Sequence, residues 1–429
     1  MATAGARGNV KAAALEIVTI GTELLLGATL DRNAAWLGRE LAGSGIVVSR
    51  RVTVGDDENA IRSAVGDALE RSGAVICTGG LGPTRDDVTR QAVAGLLGRE
   101  LIVNEEWLGI IRSRFETRGI RMPELNRVQA EIPVGAMLLP NARGTAPGII
   151  VEEGAGVVIL LPGVPGEMRW LTERYVLPYL AQRGFTRGNP VISRTVRTTG
   201  IAESALAERI DDLVADLAPL TLAYLPTGIG EDLRITSWGE LPLEEATAAL
   251  DRVLASFSAR LAPWVYGTSD DDLAAVVGEE LRERGFTLAL AESCTGGLVA
   301  KRLTDAAGAS EFLSSAVITY SNESKRDLLG VSEHTLREHG AVSEATAREM
   351  AQGARRVTGA VCGLSVTGIA GPGGGTPEKP VGTVWVAAAV GERVEAKLLR
   401  LFGDRAEIRE RAAQAALAFL RDLLRREAD

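Results

Sequence analysis

A chain of 429 residues, 46% hydrophobic and 24% charged, has the length of about three domains, each able to bury its own core, and needs no disulfide scaffold. Its 47 basic and 56 acidic residues leave a net charge of -9, which removes the general positive field used to hold nucleic acid and favours small soluble substrates. Three cysteines without CxxC spacing argue against a cysteine zinc site, and no apolar run reaches the length of a membrane span, so we expect a cytoplasmic protein without a membrane partner.

Residues 1–14 read as a disordered tail. From "LEIVTIG" onward, apolar runs ending in glycine alternate with amphipathic stretches: 30–43, "GIVVSRRVTV", 57–71 and "GAVICTGG". That alternation predicts a parallel sheet covered by helices, placed at 15–172. The pattern then changes to "VISRTVRTTG", a helix at 202–215, "LTLAYLPT", "DLRITSWGE" and a helix at 243–260, a small βαββα unit placed at 173–265. A helix at 270–285 leads into "FTLALAES", and "SAVITYS", "GAVCGLSVTG", "VGTVWVAAAV" and a helix from 404 complete a last domain at 266–429. The fold class expected is α/β: two three-layer α/β/α domains joined by a small α+β unit.

The first chemical constellation is "CTGGLGPTRDD", 77–87. Thr78, Gly79, Gly80 and Gly82 stand between a strand and a helix, where freed amides and the helix dipole favour an anion. Asp86 and Asp87 would repel a phosphate unless a divalent cation lay between, so the pair points to a metal-bridged phosphate; the alternative is that they cap the next helix. "GTELLLG" with Glu23, "PNARGTAPG" at 140–148 and "LPGVPGEM" at 161–168 are further loops at strand ends, where open α/β sheets bind ligands.

Together these segments resemble the domain shared by molybdopterin-binding proteins and the N-terminal half of the CinA, competence-damage inducible, family. The resemblance implies a nucleotide or pyrophosphate site around Glu23, Asp56 and Asp87. It also implies metal-dependent ADP-ribose pyrophosphatase activity with Mg²⁺, Mn²⁺ or Co²⁺. "DRNAAW" departs from that pattern, with Arg32 and Ala34 where Thr and Ser are more usual. The middle unit resembles a KH-type insert but lacks a GXXG clamp on a basic surface, "PTGIG" at 226–230 being the nearest run; we read it as a spacer or dimerisation unit.

In the last domain "LALAESCTGGLVAKRL", 288–303, sets Ser293 beside Cys294 before two glycines. The chain's two histidines, His334 and His339, lie in one polar helical stretch, so a serine–histidine pair is not expected. "VITYSNESKRDLLG" offers another base. Tyr320 sits at a strand end, Asn322 reads as a helix cap and Lys325 falls in the first turn, where the macrodipole and burial both lower a lysine pKa. A serine–lysine pair with a tyrosine relay is chemically sensible. Cys294 is the rival nucleophile, as a thiolate near a helix start; a third reading makes Ser293 an N-cap. Thr295, Gly296 and Gly297 offer amides suited to an oxyanion hole. The run "SVTGIAGPGGGTPEKPVGTVW" is either a mobile linker or an anion cradle, with Thr367, Gly368, Gly371 and Gly373 as substrate contacts. Arg405 of "FGDR" can clamp a phosphate or carboxylate, or pair with Glu407.

"AESCTGG", "TYSNESK", "GAVSE", "TGIAGPGGGTPEKPVGTVW" and "GDR" resemble the C-terminal domain of the CinA family, the nicotinamide-nucleotide amidohydrolases. The resemblance implies Ser293 as nucleophile, Tyr320 and Lys325 in proton transfer, and Arg405 in the site. The implied reaction hydrolyses nicotinamide mononucleotide to nicotinate mononucleotide and ammonia without a cofactor, within pyridine nucleotide recycling. A homodimer is implied as well. Two alternatives follow: only one of the two sites is active, or the chain is a non-catalytic interaction protein in competence or DNA repair.

Overall fold

The computed structural model describes residues 15–186, 188–268 and 272–427. They divide into two compact units, one running to Ile192 and including Ser237–Thr247, the other comprising Ser193–Thr236 and the chain from Ala248. The expected tail at 1–14 lies outside the described residues.

Unit 1 contains β1 (Leu15–Ile20), β2 (Val48–Val54), β3 (Ala74–Thr78), β4 (Leu101–Val103), β5 (Glu131–Pro133), β6 (Met137–Leu139), β7 (Gly148–Glu153) and β8 (Gly156–Leu161). Its main sheet has the order β2-β1-β3-β8-β7-β6, and β4 pairs separately with β5. The first four strands are parallel, as the alternating pattern predicts. The last two are not: β7 and β6 return antiparallel as hairpin strands, which have no helix between them and so lie outside the strand–helix alternation.

Strand periodicity sends adjacent residues to opposite faces, and both faces here are covered. Ile17, Ile76 and Ile159 pack with Trp36, Leu37 and Leu41 of the helix Arg32–Gly43. Their neighbours Val18, Val75 and Val158 pack with Ile61, Val65 and Ala68 of the helix Glu58–Ser72. The result is three layers, with the C-terminal ends of the parallel strands open for a site.

Almost wholly in the second unit, β9 (Ile192–Thr198), β10 (Thr221–Thr227), β11 (Gly230–Ser237) and β12 (Val265–Gly267) form a sheet in the order β10-β11-β9-β12. The helices Glu203–Val214 and Leu243–Arg260 complete the expected βαββα order, and β12 adds a fourth strand against β9. "PTGIG" forms the tight hairpin between β10 and β11, with Thr227 paired to Gly230.

The remaining strands are β13 (Leu288–Glu292), β14 (Leu313–Ile318), β15 (Cys362–Gly368), β16 (Thr383–Val390) and β17 (Arg393–Arg400), ordered β14-β13-β15-β16-β17. β13 lies parallel between β14 and β15, while β16 and β17 are antiparallel. Leu288 and Leu290 face the helices Leu273–Glu283 and Arg405–Arg426; Ala289 and Ala291 face Met350 and Ala354 of the helix Glu344–Thr358. β17 carries no apolar run to mark it, because "RVEAKLLR" is charged and only half-buried, as an edge strand can be.

Candidate active site

β13 is buried along its whole length and stops at Glu292, so the chain leaves the sheet one residue before Ser293. Because the strand has ended, Ser293 and Cys294 both border the same cavity of about 250 Å³. Tyr320, Lys325, Thr367, Gly371 and Arg405 also line it. Four loops at the strand ends of one sheet therefore converge, the arrangement by which α/β sheets build sites.

Lys325 lies on the helix Asn322–Leu329. The cap of that helix is Ser321 and not Asn322: Ser321 and Ser324 form a reciprocal capping box, and Asn322 is the first helical residue. This places Lys325 one turn in, directed inward, with 1% of its surface exposed. Nζ donates to the Thr319 carbonyl at 2.7 Å and lies 3.1 Å from Ser293 Oγ. Burial pushes the Lys325 pKa below the ordinary lysine value, because the ammonium is deprived of water. In its free-base form the amine can accept the Ser293 proton along the same 3.1 Å line.

Cys294 has the opposite character. It is packed in the hydrophobic core, and burial pushes its thiol up to about 12, so the thiolate expected at a helix start is not formed. Ser293 is not an N-cap either. The helix Leu298–Thr304 begins after Gly297, which has no capping side chain; the buried Glu292 carboxylate accepts the amides of Gly297, Val299 and Ala300 instead. Gly297 is thus withdrawn as an oxyanion donor, as is Gly296, whose amide bonds the Ser293 carbonyl.

Tyr320 is 61% exposed, and its hydroxyl accepts from Arg405 Nη2 at 2.8 Å. No hydrogen bond joins it to Ser293 or Lys325 among the described residues, so the structure brings Tyr320 to Arg405 and not into a relay. Arg405 also donates to the Gly371 carbonyl at 2.7 Å. It does not pair with Glu407, which forms a capping box with Asp404. Thr367 donates to the Ala341 carbonyl at 2.7 Å, and Gly368, Gly371 and Gly373 line the cavity beside it. Thr295 is fully buried, and its Oγ1 has no hydrogen-bond partner among the described residues. Both histidines are exposed on the helix Glu333–His339 and do not line the cavity.

Sequence reasoning missed Glu292 and Arg409. An acidic residue ending an otherwise apolar, fully buried strand was the available signal for the first. Nothing local marks Arg409, which reaches the turn from 114 residues away.

Unit 1 has a cavity of about 450 Å³ at its strand ends, lined among others by Thr19, Glu23, Asp31, Asn33, Thr78 and Gly163. Glu23 and Thr78 are brought together there. Gly79, Gly80, Gly82, Asp86 and Asp87 do not line it. Asp87 is occupied within its own loop: its carboxylate accepts the amides of Gly82 and Thr84 and the Thr84 hydroxyl, at 2.8, 2.8 and 2.5 Å. Asp86 is exposed, and no group of three acidic, histidine or cysteine side chains able to hold a metal occurs among the described residues. The donors of this loop therefore do not fit the expected metal site. Asp56 bonds the Thr22 amide at 2.8 Å and ties β2 to the start of the Glu23 loop. The 140–148 loop folds around buried Asn141, which bonds the Ala146 carbonyl at 2.7 Å and Glu167 at 2.6 Å.

Residues 16–182 match the probable molybdopterin binding domain, residues 193–267 the damage-inducible protein CinA KH domain, and residues 270–424 the CinA C-terminal domain. A CinA-like protein of Gemmatimonas aurantiaca is 50% identical over 416 residues, covering 96% of this chain and 97% of its own. A putative competence-damage inducible protein of Symbiobacterium thermophilum is 46% identical over 419 residues, covering 95% and 98%. Among solved structures, a CinA superfamily protein from Klebsiella pneumoniae is 38% identical, covers 36% of this chain and 96% of its own, and has a TM-score of 0.35.

Proposed function

The chain belongs to the CinA family, and from that membership we propose that its C-terminal site hydrolyses the carboxamide of nicotinamide mononucleotide to nicotinate mononucleotide and ammonia. The observation that carries this reading is the buried amine of Lys325 at 3.1 Å from the Ser293 hydroxyl, with no competing histidine in the cavity. Ser293 Oγ attacks the amide carbon as its proton passes to Lys325 Nζ. The C–N bond then breaks, the lysine ammonium returns the proton to the departing nitrogen, and ammonia leaves an acyl-Ser293 ester. Water attacks the ester, gives a proton to Lys325, and Ser293 recovers its own as the carboxylate is released.

Arg405 is the cavity's exposed cation and the residue we assign to the 5′-phosphate, with the glycine-rich loop at 371–374 closing over it. Ammonia release from nicotinamide mononucleotide by the full chain tests the proposal. We expect it to vanish in Ser293→Ala and persist in Cys294→Ala; loss in the cysteine variant alone overturns the assignment.

A second reading concerns unit 1, where Glu23 and Thr78 border a cavity large enough for a nucleotide. We propose ADP-ribose as its ligand, cleaved with water to AMP and ribose 5-phosphate. Incubation of ADP-ribose with the Ser293→Ala chain, alone and with Mg²⁺, Mn²⁺ or Co²⁺, tests it; intact ADP-ribose under every condition overturns the cleavage.

A further inference from the structure

Two side chains with no part in the scheme above fix the turn that carries Ser293. Glu292 ends β13 and is buried; Oε2 accepts the amides of Gly297 and Val299 at 2.9 and 3.2 Å, and Oε1 accepts that of Ala300 at 2.8 Å. These are the orphan donors of a helix N-terminus, and a carboxylate there is favoured by the dipole as well as by the bonds. From the other side Arg409 Nε and Nη2 both donate to the Thr295 carbonyl, at 3.2 and 2.6 Å. The Glu292 carbonyl accepts the Thr319 amide at 2.8 Å, and the Thr319 carbonyl in turn holds Lys325 Nζ. Glu292 thus aligns the nucleophile through its side chain and the base through its backbone.

The amides of the turn can be accounted for one by one. Ser293 donates to the Val366 carbonyl at 2.9 Å, Gly296 to the Ser293 carbonyl at 3.1 Å, and Gly297 to Glu292. The amides of Cys294 and Thr295 are bonded to no oxygen among the described residues, and Cys294 borders the cavity. The residue after a nucleophilic serine is where an oxyanion donor commonly lies. Without the Glu292 carboxylate, the buried Val299 amide and the part-buried Gly297 and Ala300 amides would need other acceptors, and the turn would be free to rearrange to supply them.

We propose that Glu292 and Arg409 are positioning residues that hold the 293–297 turn so that the Cys294 amide, which borders the cavity, meets the oxyanion formed on the substrate carbonyl. This rests on the amide-hydrolysis reading. It also gives Cys294 a role that its thiol does not have, since the backbone amide is kept by any residue except proline.

The test compares Glu292→Gln, Glu292→Ala, Arg409→Lys and Arg409→Met in the full chain. Steady-state kcat and KM for nicotinamide mononucleotide, the rate of Ser293 sulfonylation by phenylmethanesulfonyl fluoride read by intact mass, and the thermal midpoint are measured together. We expect kcat to fall about 10²-fold in Glu292→Ala and Arg409→Met, as for loss of one oxyanion donor, with KM within about threefold. Glu292→Gln and Arg409→Lys should recover part of that loss, and sulfonylation should slow in parallel. Wild-type kcat in Glu292→Gln and Arg409→Met, or losses of kcat and KM that only follow the thermal midpoint, would overturn the proposal. If the wild type releases no ammonia, the amide-hydrolysis reading fails by itself; unchanged sulfonylation rates in the variants then overturn this inference separately.

Discussion

The tetrapeptide Cys-Thr-Gly-Gly occurs twice, at 77–80 in unit 1 and at 294–297 in the second unit, each time where a buried central strand gives way to a loop. The two copies are set differently against their strands. Cys77 and Thr78 are the last residues of β3, whereas β13 has already stopped at Glu292, before Cys294. Behind the first copy lies Arg90, a buried guanidinium that donates to the carbonyls of Leu81 and Gly82 at 2.7 and 2.9 Å. Behind the second lies Lys325. Burial lowers both pKa values, but only an amine can lose its proton in the accessible range, since a guanidinium stays charged. A glycine-rich strand end is therefore a general anion or backbone-packing device; a buried lysine one hydrogen bond away makes it a candidate for covalent chemistry.

The sharpest way to break this contrast is Lys325→Met, which removes the base and keeps the volume. We expect kcat/KM for amide hydrolysis to fall at least about 10³-fold, the scale of losing one member of a nucleophile–base unit. The folded chain should not suffer. With the Lys325 pKa lowered, the unfolded chain binds more protons between that lowered value and the ordinary lysine value of 10.5. Stability contributed through this group accordingly rises with pH across that window, and below it the cost of a buried ammonium is fully present. Lys325→Met should then melt no lower than wild type at neutral pH, measured by thermal unfolding. The wild-type pH profile of kcat/KM should carry an ascending limb below 10.5 as the amine loses its proton, and a flat profile would remove Lys325 as the base.

Smaller effects sharpen the comparison. Arg405→Ala should raise KM about tenfold or more through loss of a charge-assisted anion contact, while Tyr320→Phe, which removes only the 2.8 Å bond to Arg405, should cost a few-fold; steady-state kinetics separates them. The two glycine pairs should differ in stability. Gly79 has φ 110°, and a Cβ there would run into the Ile20 carbonyl, so Gly79→Ala should cost about 2–3 kcal/mol in denaturant unfolding. Gly296 has φ 59°, and its Cβ would meet only Arg409 Nη2 at 3.6 Å, so Gly296→Ala should cost about 1 kcal/mol. The smallest change is expected for Cys294→Ala, with deamidation within about threefold of wild type, because the thiol is held protonated by burial.

Much of the architecture is written locally. The runs "LEIVTI", "AVICT" and "LALAE" are legible as strands from their short, largely apolar and buried character, and amphipathic spacing located several of the helices that cover them, though not Glu344–Thr358. Pairing Ser293 with Lys325 was also legible, because two histidines in a polar helix left few other bases. What lay beyond the sequence was any property set by a partner far along the chain. Whether Tyr320 faces Lys325 or Arg405 depends on a residue 85 positions away, and Asp87 could be taken for a metal ligand until its loop closed around it.

By itself, then, the sequence determined the strands, the glycine turns and the chemical types gathered at their ends, since these follow from short-range sterics and periodic burial. Only the tertiary structure decided which amides and carboxylates are already spent on one another, which cation loses its water and which keeps it. Hydrogen-bond partnership and desolvation arise when distant segments pack together, and those two quantities separate a reactive serine from an ordinary one.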